Sequence, residues 1–461
     1  MIENRFENSK QVSLKSRIGY FFGNLSTGFQ VAIPTFLIFY GTQSLAISIG
    51  ALSLMMAVVK VFDGFTDVIA GFLIDKTKST KGKARPWFLW MSLPYALCFA
   101  LEFCIPPEWG STAKLIILGV LYSMTISVFG TMLNIANVAL LPRLTSNLKE
   151  RGVLAVVCGG AGITMVGVLM AVVFPLVFTF GFQKVFIAFA IISFILCILC
   201  YLLVKEQDFS QYVENRKDNK VRVKDLFLTI LNNKYALLIF IYVLIVQAGG
   251  SMILGCGTYY ATYVLEDPNI YSQFMLSGAI GSFFGIFLGL PLVKRIGTKK
   301  LYCLGCLMAV LGFGTILITD SKFPILVIVA FFFILMGGQV FTNSQNAVLT
   351  ASAIDYGDWK NGVRAEGVTS CVGNVGMKVG AALGTVLMGI VLAINGFAEG
   401  GVAQSEQAIN AIKLTFTGLT PLIYLLLFVV FVLTYRLEKR LPGIQKELEK
   451  RDINKSVVVE K

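Results

Sequence analysis

The chain has 461 residues, of which 56% are hydrophobic and only 14% are charged. Soluble domains carry about 25% charged residues, whereas here apolar runs long enough to cross a bilayer recur along the whole length. The net charge of +13 lies mainly in the tails and in alternate loops, which is the positive-inside pattern of membrane proteins. The sequence therefore excludes a nucleic-acid-binding protein and predicts an all-α polytopic membrane protein.

Both termini are predicted to face the cytoplasm, which requires an even number of spans in the cell membrane. The polar segment from Met1 to Arg17 lacks the apolar core and cleavage site of a secretory signal. The sequence has no histidine, which argues against a zinc site and against a membrane enzyme with a catalytic cluster at the surface. Two CxxC pairs, 197–200 and 303–306, are expected to pack inside apolar helices. We expect neither an enzyme nor a cofactor.

Twelve apolar runs predict twelve transmembrane helices. They cover residues 17–43, 46–74, 87–106, 112–142, 153–180, 183–204, 235–264, 270–293, 299–319, 323–353, 363–394 and 408–435. The domains predicted from them are an N-terminal six-helix bundle, a cytoplasmic middle loop, a C-terminal six-helix bundle and a cytoplasmic tail, at residues 1–204, 205–234, 235–435 and 436–461. Two six-helix halves with a middle loop predict the major-facilitator fold, whose halves are internal repeats. The basic, glycine-containing loops 75–87 and 294–300 support such a repeat because they occupy equivalent places in the two halves.

The second predicted span carries three charged side chains, Lys60, Asp63 and Asp67. Each costs about 2.5–3.5 kcal/mol near the bilayer centre on insertion scales. At 100° per residue they fall within roughly a 60° arc, so one stripe of the helix faces a wet or charged environment. Two carboxylates one turn apart, with Thr66 between them, offer hard oxygen ligands to a small cation such as Na⁺ or to a proton. The alternative is that Lys60 neutralises Asp63 in a structural ion pair.

Polar side chains form rows on four other predicted spans, and together they predict the walls of a central aqueous cavity for a hydroxyl-rich solute. The rows are Asn24, Thr27 and Gln30; Ser127, Thr131, Asn134 and Asn137; Gln339, Asn343, Asn346 and Thr350; and Asn374 with Lys378. For any single amide the alternative is a hydrogen bond between helices of a dry bundle. For Lys378 the alternative is a side chain that extends to the membrane surface.

Two rows of glycines at four-residue spacing predict close helix packing. They are Gly281, Gly285 and Gly289, and Gly376, Gly380 and Gly384. Rows of small residues let helix backbones approach closely. The alternative is that the helices slide past each other at these contacts during a transport cycle.

Residues 59–71, Val-Lys-Val-Phe-Asp-Gly-Phe-Thr-Asp-Val-Ile-Ala-Gly, resemble the helix II signature of the glycoside–pentoside–hexuronide:cation symporter family, within the major facilitator superfamily. The basic stretch 81–87 follows at the family's distance, and residues 354–367 resemble the family's cytoplasmic signature between spans 10 and 11. These stretches are most similar to the corresponding sequences of glucuronide carriers and melibiose permeases. The resemblance implies a secondary active transporter that couples sugar transport to a cation by alternating access and works as a monomer.

The resemblance also implies roles for individual residues, and the polar rows complete the predicted sugar site. The predicted cation ligands are Asp63, Asp67, Thr66 and Thr131. The predicted sugar ligands are Asn24, Thr27, Asn134, Asn137, Gln339, Asn343, Asn374 and Lys378. The predicted coupling and gating residues are Lys60, Arg85, Asp355, Arg364 and Glu366.

Three positions depart from the family pattern. Thr27 stands near a sugar-binding carboxylate of helix I, Val138 at a tryptophan of helix IV and Cys158 at an arginine of helix V. Without those groups and with Lys378 retained, the site favours an anionic sugar such as a hexuronide over a galactoside. The alternative function is a major-facilitator exporter or antiporter of another small solute, and the direction of gradient-driven transport distinguishes the two.

Overall fold

The computed structural model describes residues 12–145, 148–206, 233–319, 324–361 and 366–459. These residues fold into helices joined by short loops, and no strand occurs among them. The prediction of an all-α protein is therefore confirmed.

The helices follow the predicted spans closely, and one more helix forms in the tail. In chain order they are α1 Leu14–Gln43, α2 Ile49–Lys76, α3 Arg85–Glu102, α4 Ser111–Leu144, α5 Leu148–Phe180, α6 Phe182–Leu203, α7 Lys234–Val264, α8 Asn269–Ile296, α9 Thr298–Thr319, α10 from Pro324 to Asn361, α11 Glu366–Ile394, α12 Glu406–Thr434 and α13 Leu441–Val459. Within the described ranges, nine of them are long and apolar enough to cross a membrane. The predicted spans outside the nine are the charged α2, the short α3 of 18 residues and α5, so the number twelve stays a prediction.

The chain divides into two compact units. The first unit comprises Met1–Lys217, Ala261–Leu276 and Val386–Ala411, and the second comprises Asp218–Tyr260, Ser277–Thr385 and Ile412–Lys461. Because most of the predicted middle loop, 205–234, lies outside the described residues, the predicted boundary between two six-helix halves also stays a prediction.

In the first unit, the two later segments attach to the loop between α1 and α2. The Tyr263 hydroxyl donates to Gln43 Oε1 at 2.5 Å, and the Gly400 amide donates to the Thr42 carbonyl at 2.8 Å. The Glu399 carboxylate accepts the Ile49 amide at 3.1 Å and so caps the start of α2. These contacts fix the end of α2 from which its charged stripe is reached.

The glycine rows predicted from the sequence are sites of close helix packing in the second unit. A Cβ atom added to the glycines of α11 would meet successive backbone groups of α7. The pairs are Gly376 with Phe240, Gly380 with Leu244, and Gly384 with Ala248. On α8, a Cβ atom at Gly281 would similarly meet the Phe332 carbonyl of α10. The packing prediction is confirmed, because only glycine leaves room for these backbones.

Two basic loops are built alike, one in each unit. The loop before α3 turns at Gly82 with φ +110°, and the loop before α9 turns at Gly297 with φ +83°. In each case a glutamate that follows a later helix accepts the first amides of the new helix. Glu206 accepts the amides of residues 83, 84 and 85 at 3.0, 2.9 and 2.5 Å. Glu438 accepts those of residues 298 and 299 at 2.9 and 3.1 Å.

A basic side chain completes each loop by reaching the end of the helix that precedes the glutamate. Arg85 Nε donates to the Tyr201 carbonyl at 2.6 Å, and Lys299 Nζ donates to the Tyr435 carbonyl at 2.8 Å. The same three parts, a left-handed glycine, a capping glutamate and a basic anchor, therefore occur twice. This is structural support for the internal repeat that the sequence only suggested.

We expect Glu206→Gln to lower the thermal stability of the purified protein. The carboxylate binds three amides of a helix N-terminus, and bonds to a charged group contribute about 1.5–3 kcal/mol each, without full additivity. Tm measured by fluorescence in detergent checks this, with Glu108→Gln in an exposed loop as the matched control. An equal Tm for the two variants would contradict the capping role.

Candidate functional site: a charged stripe and two polar walls

The charged residues of α2 lie opposite its exposed apolar face. The exposed side chains include Leu54, Val58, Val61, Phe65, Ile69 and Phe72. At 100° per residue their mean direction lies about 180° from Asp63 and Asp67. A Cβ atom at Gly64 or Gly71, at the edge of the charged stripe, would have nothing within 4 Å. The stripe predicted from the sequence therefore borders open space, while the opposite face suits lipid.

Asp63 is the buried member of the stripe, with 5% of its surface exposed. Thr131 of α4, equally buried, places its hydroxyl 2.7 Å from Asp63 Oδ1 and 3.1 Å from the Ile126 carbonyl. The Ser127 hydroxyl, one turn earlier on α4, donates to the Val59 carbonyl of α2 at 3.2 Å. The structure thus brings together two predicted cation ligands from different helices.

The local shape of α4 positions Thr131. Residues 123–130 form a π-helical segment, and Thr131 is the first residue after it. A wider turn of this kind rotates the following side chains relative to a regular α-helix and occurs frequently at functional sites. The corresponding segment of α10, residues 334–341, directly precedes another row of polar side chains.

Asp67, Lys60 and Thr66 are half-buried on α2. The Thr66 hydroxyl donates to the Asp63 carbonyl of its own helix at 3.0 Å. Its oxygen lone pairs remain able to face a cation, but its proton is used locally. Like Thr131, Thr66 can offer its oxygen to a cation while it donates its proton within the protein.

Among the described residues, some polar side chains of α1 and α4 in the first unit bond to carbonyls of their own helix, and others have polar atoms without a partner. Asn24 Nδ2 donates to the Tyr20 carbonyl at 2.9 Å, and the Thr27 hydroxyl donates to the Asn24 carbonyl at 2.7 Å. Asn137 is buried beside Gly23, and among the described residues its Oδ1 atom has no hydrogen-bond partner. Asn134 is exposed. Asn137 Oδ1 and, on α1, Gln30 Nε2 are thus buried polar atoms without a partner among the described residues, whereas Asn134 is open to a solute or water.

A chain of side-chain hydrogen bonds runs along α10 in the second unit. Gln339 Nε2 donates to the Tyr424 hydroxyl at 2.6 Å. Asn343 Nδ2 donates to Gln339 Oε1 at 3.1 Å, and Asn346 Nδ2 donates to Asn343 Oδ1 at 3.2 Å. The Asn346 Oδ1 atom is buried and, within the described part of the chain, has no partner. The predicted row is therefore one connected polar ladder rather than three separate amides.

Tyr424 of α12 anchors this ladder, and sequence reasoning missed it. Its side chain is fully buried, and its ring also packs against Gly249 and Gly338. A single tyrosine in the apolar run 420–434 gives no periodic polar signal, so only the packing of α12 against α10 could identify it.

The remaining sugar candidates lie on α11. Asn374 is exposed and Lys378, one turn later, is half-buried. They share one side of α11 at i, i+4 spacing. The glycines that contact α7 lie at other positions of the same helix. The structure describes these side chains in the second unit, and a cavity shared with the first unit stays a prediction.

The predicted gating residues are placed at helix ends. Arg85 begins α3, donates to the Tyr201 carbonyl and lies over the Tyr201 ring with 4.9 Å to its centroid. Asp355 accepts Gln445 Nε2 of the tail helix α13 at 3.1 Å. Arg364 lies outside the described residues, and Glu366 begins α11 with its side chain outside them.

The tail helix also contacts the C-terminal end of α10 at two further points. Trp359 Nε1 donates to Glu447 Oε2 at 2.6 Å, and Arg451 pairs with Asp358. The tail thus forms the helix α13, and Asp355 contacts this helix through Gln445.

The donor set of the site suits a hard cation. Among the described residues no group of three or more histidine, cysteine or acidic side chains could hold a metal ion. Carboxylate and hydroxyl oxygens, as at Asp63 and Thr131, are ligands for hard cations. The amide ladders supply donors and acceptors for hydroxyl groups.

Comparison with known proteins agrees with this chemistry. A family profile described as "MFS/sugar transport protein" matches residues 19–439. The chain belongs to this family. The resemblance to the glycoside–pentoside–hexuronide:cation symporters is thereby confirmed, and so is the major-facilitator fold.

Individual relatives cover nearly the whole protein. The isoprimeverose transporter of Lactiplantibacillus pentosus is 26% identical over 443 residues, which cover 93% of this MFS protein and 89% of the relative. The glucuronide carrier protein homolog of Escherichia coli (strain K12) is 24% identical over 455 residues, which cover 96% and 97% of the two chains. The crystal structure of the nucleoside transporter NupG is similar in fold, with a TM-score of 0.64 at 15% identity over 93% of this MFS protein and 100% of NupG.

Proposed function

We propose that the protein imports a sugar together with a monovalent cation, Na⁺ or H⁺, by alternating access. The observation that carries the proposal is the buried Asp63 carboxylate, which receives the Thr131 hydroxyl from a neighbouring helix. A charge in this position is costly unless it is compensated. A transported cation provides compensation that is present in one part of the cycle and absent in another.

In the proposed cycle the cation binds first, at oxygens of Asp63 and Asp67, with Thr131 as a further ligand. Its charge reduces the repulsion between the two carboxylates, and this favours the arrangement of α2 and α4 that binds sugar. By linkage, sugar binding raises cation affinity by the same factor. Binding of both solutes then favours the change between outward-facing and inward-facing states.

The sugar is proposed to bind the amide ladder of α10 and the α11 pair Asn374 and Lys378. Amides can donate to and accept from hydroxyl groups, as the Gln339–Asn343–Asn346 chain already does internally. The names of the relatives support a sugar, since one is an isoprimeverose transporter and another a glucuronide carrier homolog. The proposed protein acts as a monomer in the cell membrane with both termini in the cytoplasm.

We expect Lys378→Gln to reduce the uptake of a hexuronide more than that of a neutral glycoside. An ammonium group contributes about 1.5–3 kcal/mol to a hydrogen bond with a carboxylate, and this contribution is absent for a neutral sugar. KM for labelled glucuronide and for a matched methyl glycoside, measured in membrane vesicles, checks the expectation. Equal losses for the two sugars would assign Lys378 to coupling rather than to recognition of a negative charge.

The test of the function is uptake of labelled sugars by proteoliposomes that contain the purified protein. An inward Na⁺ or H⁺ gradient is expected to drive accumulation above the external concentration. Expulsion of preloaded sugar under the same gradient would instead indicate the exporter or antiporter alternative. Downhill flux without any response to either gradient would overturn cation coupling.

A further inference from the structure

Glu102, a carboxyl group that the proposed mechanism does not use, is buried at the end of α3. Its side chain has no exposed surface, and among the described residues neither carboxylate oxygen has a hydrogen-bond partner. The Thr125 hydroxyl lies beside it but donates to the Leu121 carbonyl at 3.0 Å. A buried polar group without a partner is uncommon and calls for a physical explanation, such as a bound proton or water.

The surroundings of Glu102 form a small polar cluster inside the first unit. Tyr95 stands two turns earlier on α3, and Tyr122 stands on α4; both are fully buried, and in the described part of the chain their hydroxyls also lack partners. Both tyrosines are close enough to respond to the Glu102 charge. The buried hydroxyl of Ser193 on α6 lies beside Tyr95. Several hydroxyls therefore face one carboxyl.

Among the residues that the structure describes, no basic side chain of the packed helices approaches this carboxyl. From α3 itself Tyr95 and Cys98 face it, and from α4 Tyr122 does so. Lys114, in the first turn of α4, donates instead to the carbonyls of Leu45 and Pro107. In α6, Lys184 is exposed at the first turn, and Cys197 lies beside Tyr95.

These surroundings oppose the ionised form of Glu102 in three ways. An isolated carboxylate loses its hydration on burial, at a cost of several kcal/mol. In the described part of the protein no basic side chain offsets that cost. The residue also ends α3, where the last carbonyls carry a partial negative charge that repels an anion.

We propose that Glu102 is a proton-binding site, held as a neutral carboxylic acid within the Tyr95–Tyr122 cluster and linked to cation occupancy at Asp63. The link is α4, whose π-helical segment 123–130 carries Thr125 beside Glu102 and leads directly into Thr131, whose hydroxyl lies 2.7 Å from Asp63 Oδ1. This proposal rests on the proposed function for its second part only, since proton binding at Glu102 does not require transport. The ligand is H⁺, accepted by one carboxylate oxygen and released from it.

The sign of the linkage follows from Coulomb's law. Ionised Glu102 adds a negative charge near the Asp63 site and therefore raises the affinity of that site for a cation. By reciprocity, a cation at Asp63 promotes release of the Glu102 proton. Cation affinity is thus expected to rise as pH increases through the titration of Glu102, and cation binding is expected to release a proton over that range.

Infrared spectroscopy of the reconstituted full-length protein tests the proton site without any substrate. At neutral pH the carbonyl stretching band of a protonated carboxyl group is expected in the wild type and in Glu108→Gln, whose substitution lies in an exposed loop. The same band is expected to lose intensity in Glu102→Gln. Tyr122→Phe is expected to keep the band but shift it, which provides a reading if Glu102→Gln does not fold. A band that neither substitution alters would overturn the proposal.

Calorimetric titration with NaCl over a range of pH tests the link to Asp63. We expect Na⁺ affinity to rise about 5-fold or more with pH in the wild type and to lose this pH-dependent rise in Glu102→Gln. A pH dependence that survives the substitution would overturn the link. If Na⁺ does not bind at all, the cation proposal fails, while the infrared result still decides the proton site.

Discussion

Asp63→Asn is expected to reduce sugar accumulation against a gradient strongly while leaving the protein folded. The asparagine oxygen can still accept the Thr131 hydroxyl that now lies 2.7 Å from Asp63 Oδ1. The negative charge that attracts the cation is lost. Since coupling energies of this kind are typically 1–3 kcal/mol, we expect accumulation to fall roughly 5- to 150-fold. Uptake by proteoliposomes under an imposed cation gradient measures the loss.

Thermal stability separates this result from simple misfolding. Because the substitution removes a buried charge but keeps an acceptor for the Thr131 hydroxyl, Tm is expected to stay unchanged or to rise. A fall in Tm that Lys60→Met restores would instead indicate the structural ion pair between Lys60 and Asp63, and it would contradict the cation site. Thr131→Ser serves as the matched control, because it keeps the hydroxyl beside Asp63 and is expected to retain accumulation.

The charged stripe of α2 could be predicted from the sequence because both of its determinants are local. Helical periodicity gives the direction of Lys60, Asp63 and Asp67, and the cost of burying charge in lipid shows that this direction faces away from lipid. The structure places an exposed apolar face opposite the two carboxylates, as that reasoning requires. Helical periodicity did not identify Thr131, which donates to Asp63, as a cation ligand; this role was assigned by family resemblance.

The rest of the site could not be predicted from the sequence, because it depends on contacts between helices. Tyr424 anchors the α10 ladder through its hydroxyl, but one tyrosine in an apolar helix has no pattern that points to a polar neighbour. The capping roles of Glu206 and Glu438 depend on loops that return to a helix start far away in the chain. Glu102 was not predicted either, although an ionisable residue inside a predicted span is itself a signal of function.

The glycine rows were predictable in position and packing but not in their partners. Four-residue spacing puts Gly376, Gly380 and Gly384 on one side of α11. Which helix fills the space depends on the three-dimensional arrangement, and the structure shows that α7 does so. The contacts also distinguish glycines at which a side chain would collide with a neighbouring backbone from glycines at which it would not.

Gly380→Val is expected to prevent the normal packing of α11 on α7. A Cβ atom at this position would meet the Leu244 carbonyl and would lie 2.8 Å from the Leu244 Cα atom. Backbone cannot move aside as a flexible side chain can, so the two helices must separate. Overpacking costs typically 1–3 kcal/mol and occasionally more, and loss of the close helix contact adds to it. We expect a large fall in Tm, or loss of the monodisperse peak in size-exclusion chromatography.

Gly373→Val on the same helix is the matched control, because a Cβ atom there would have nothing within 4 Å. It carries the same β-branched side chain and the same change in helix propensity, so any difference between the two variants reports packing alone. Gly380→Ala should lie between Gly373→Val and Gly380→Val. If Gly380→Val were as stable as Gly373→Val and only transport were slowed, the row would act as a sliding contact between α7 and α11 rather than as a fixed one.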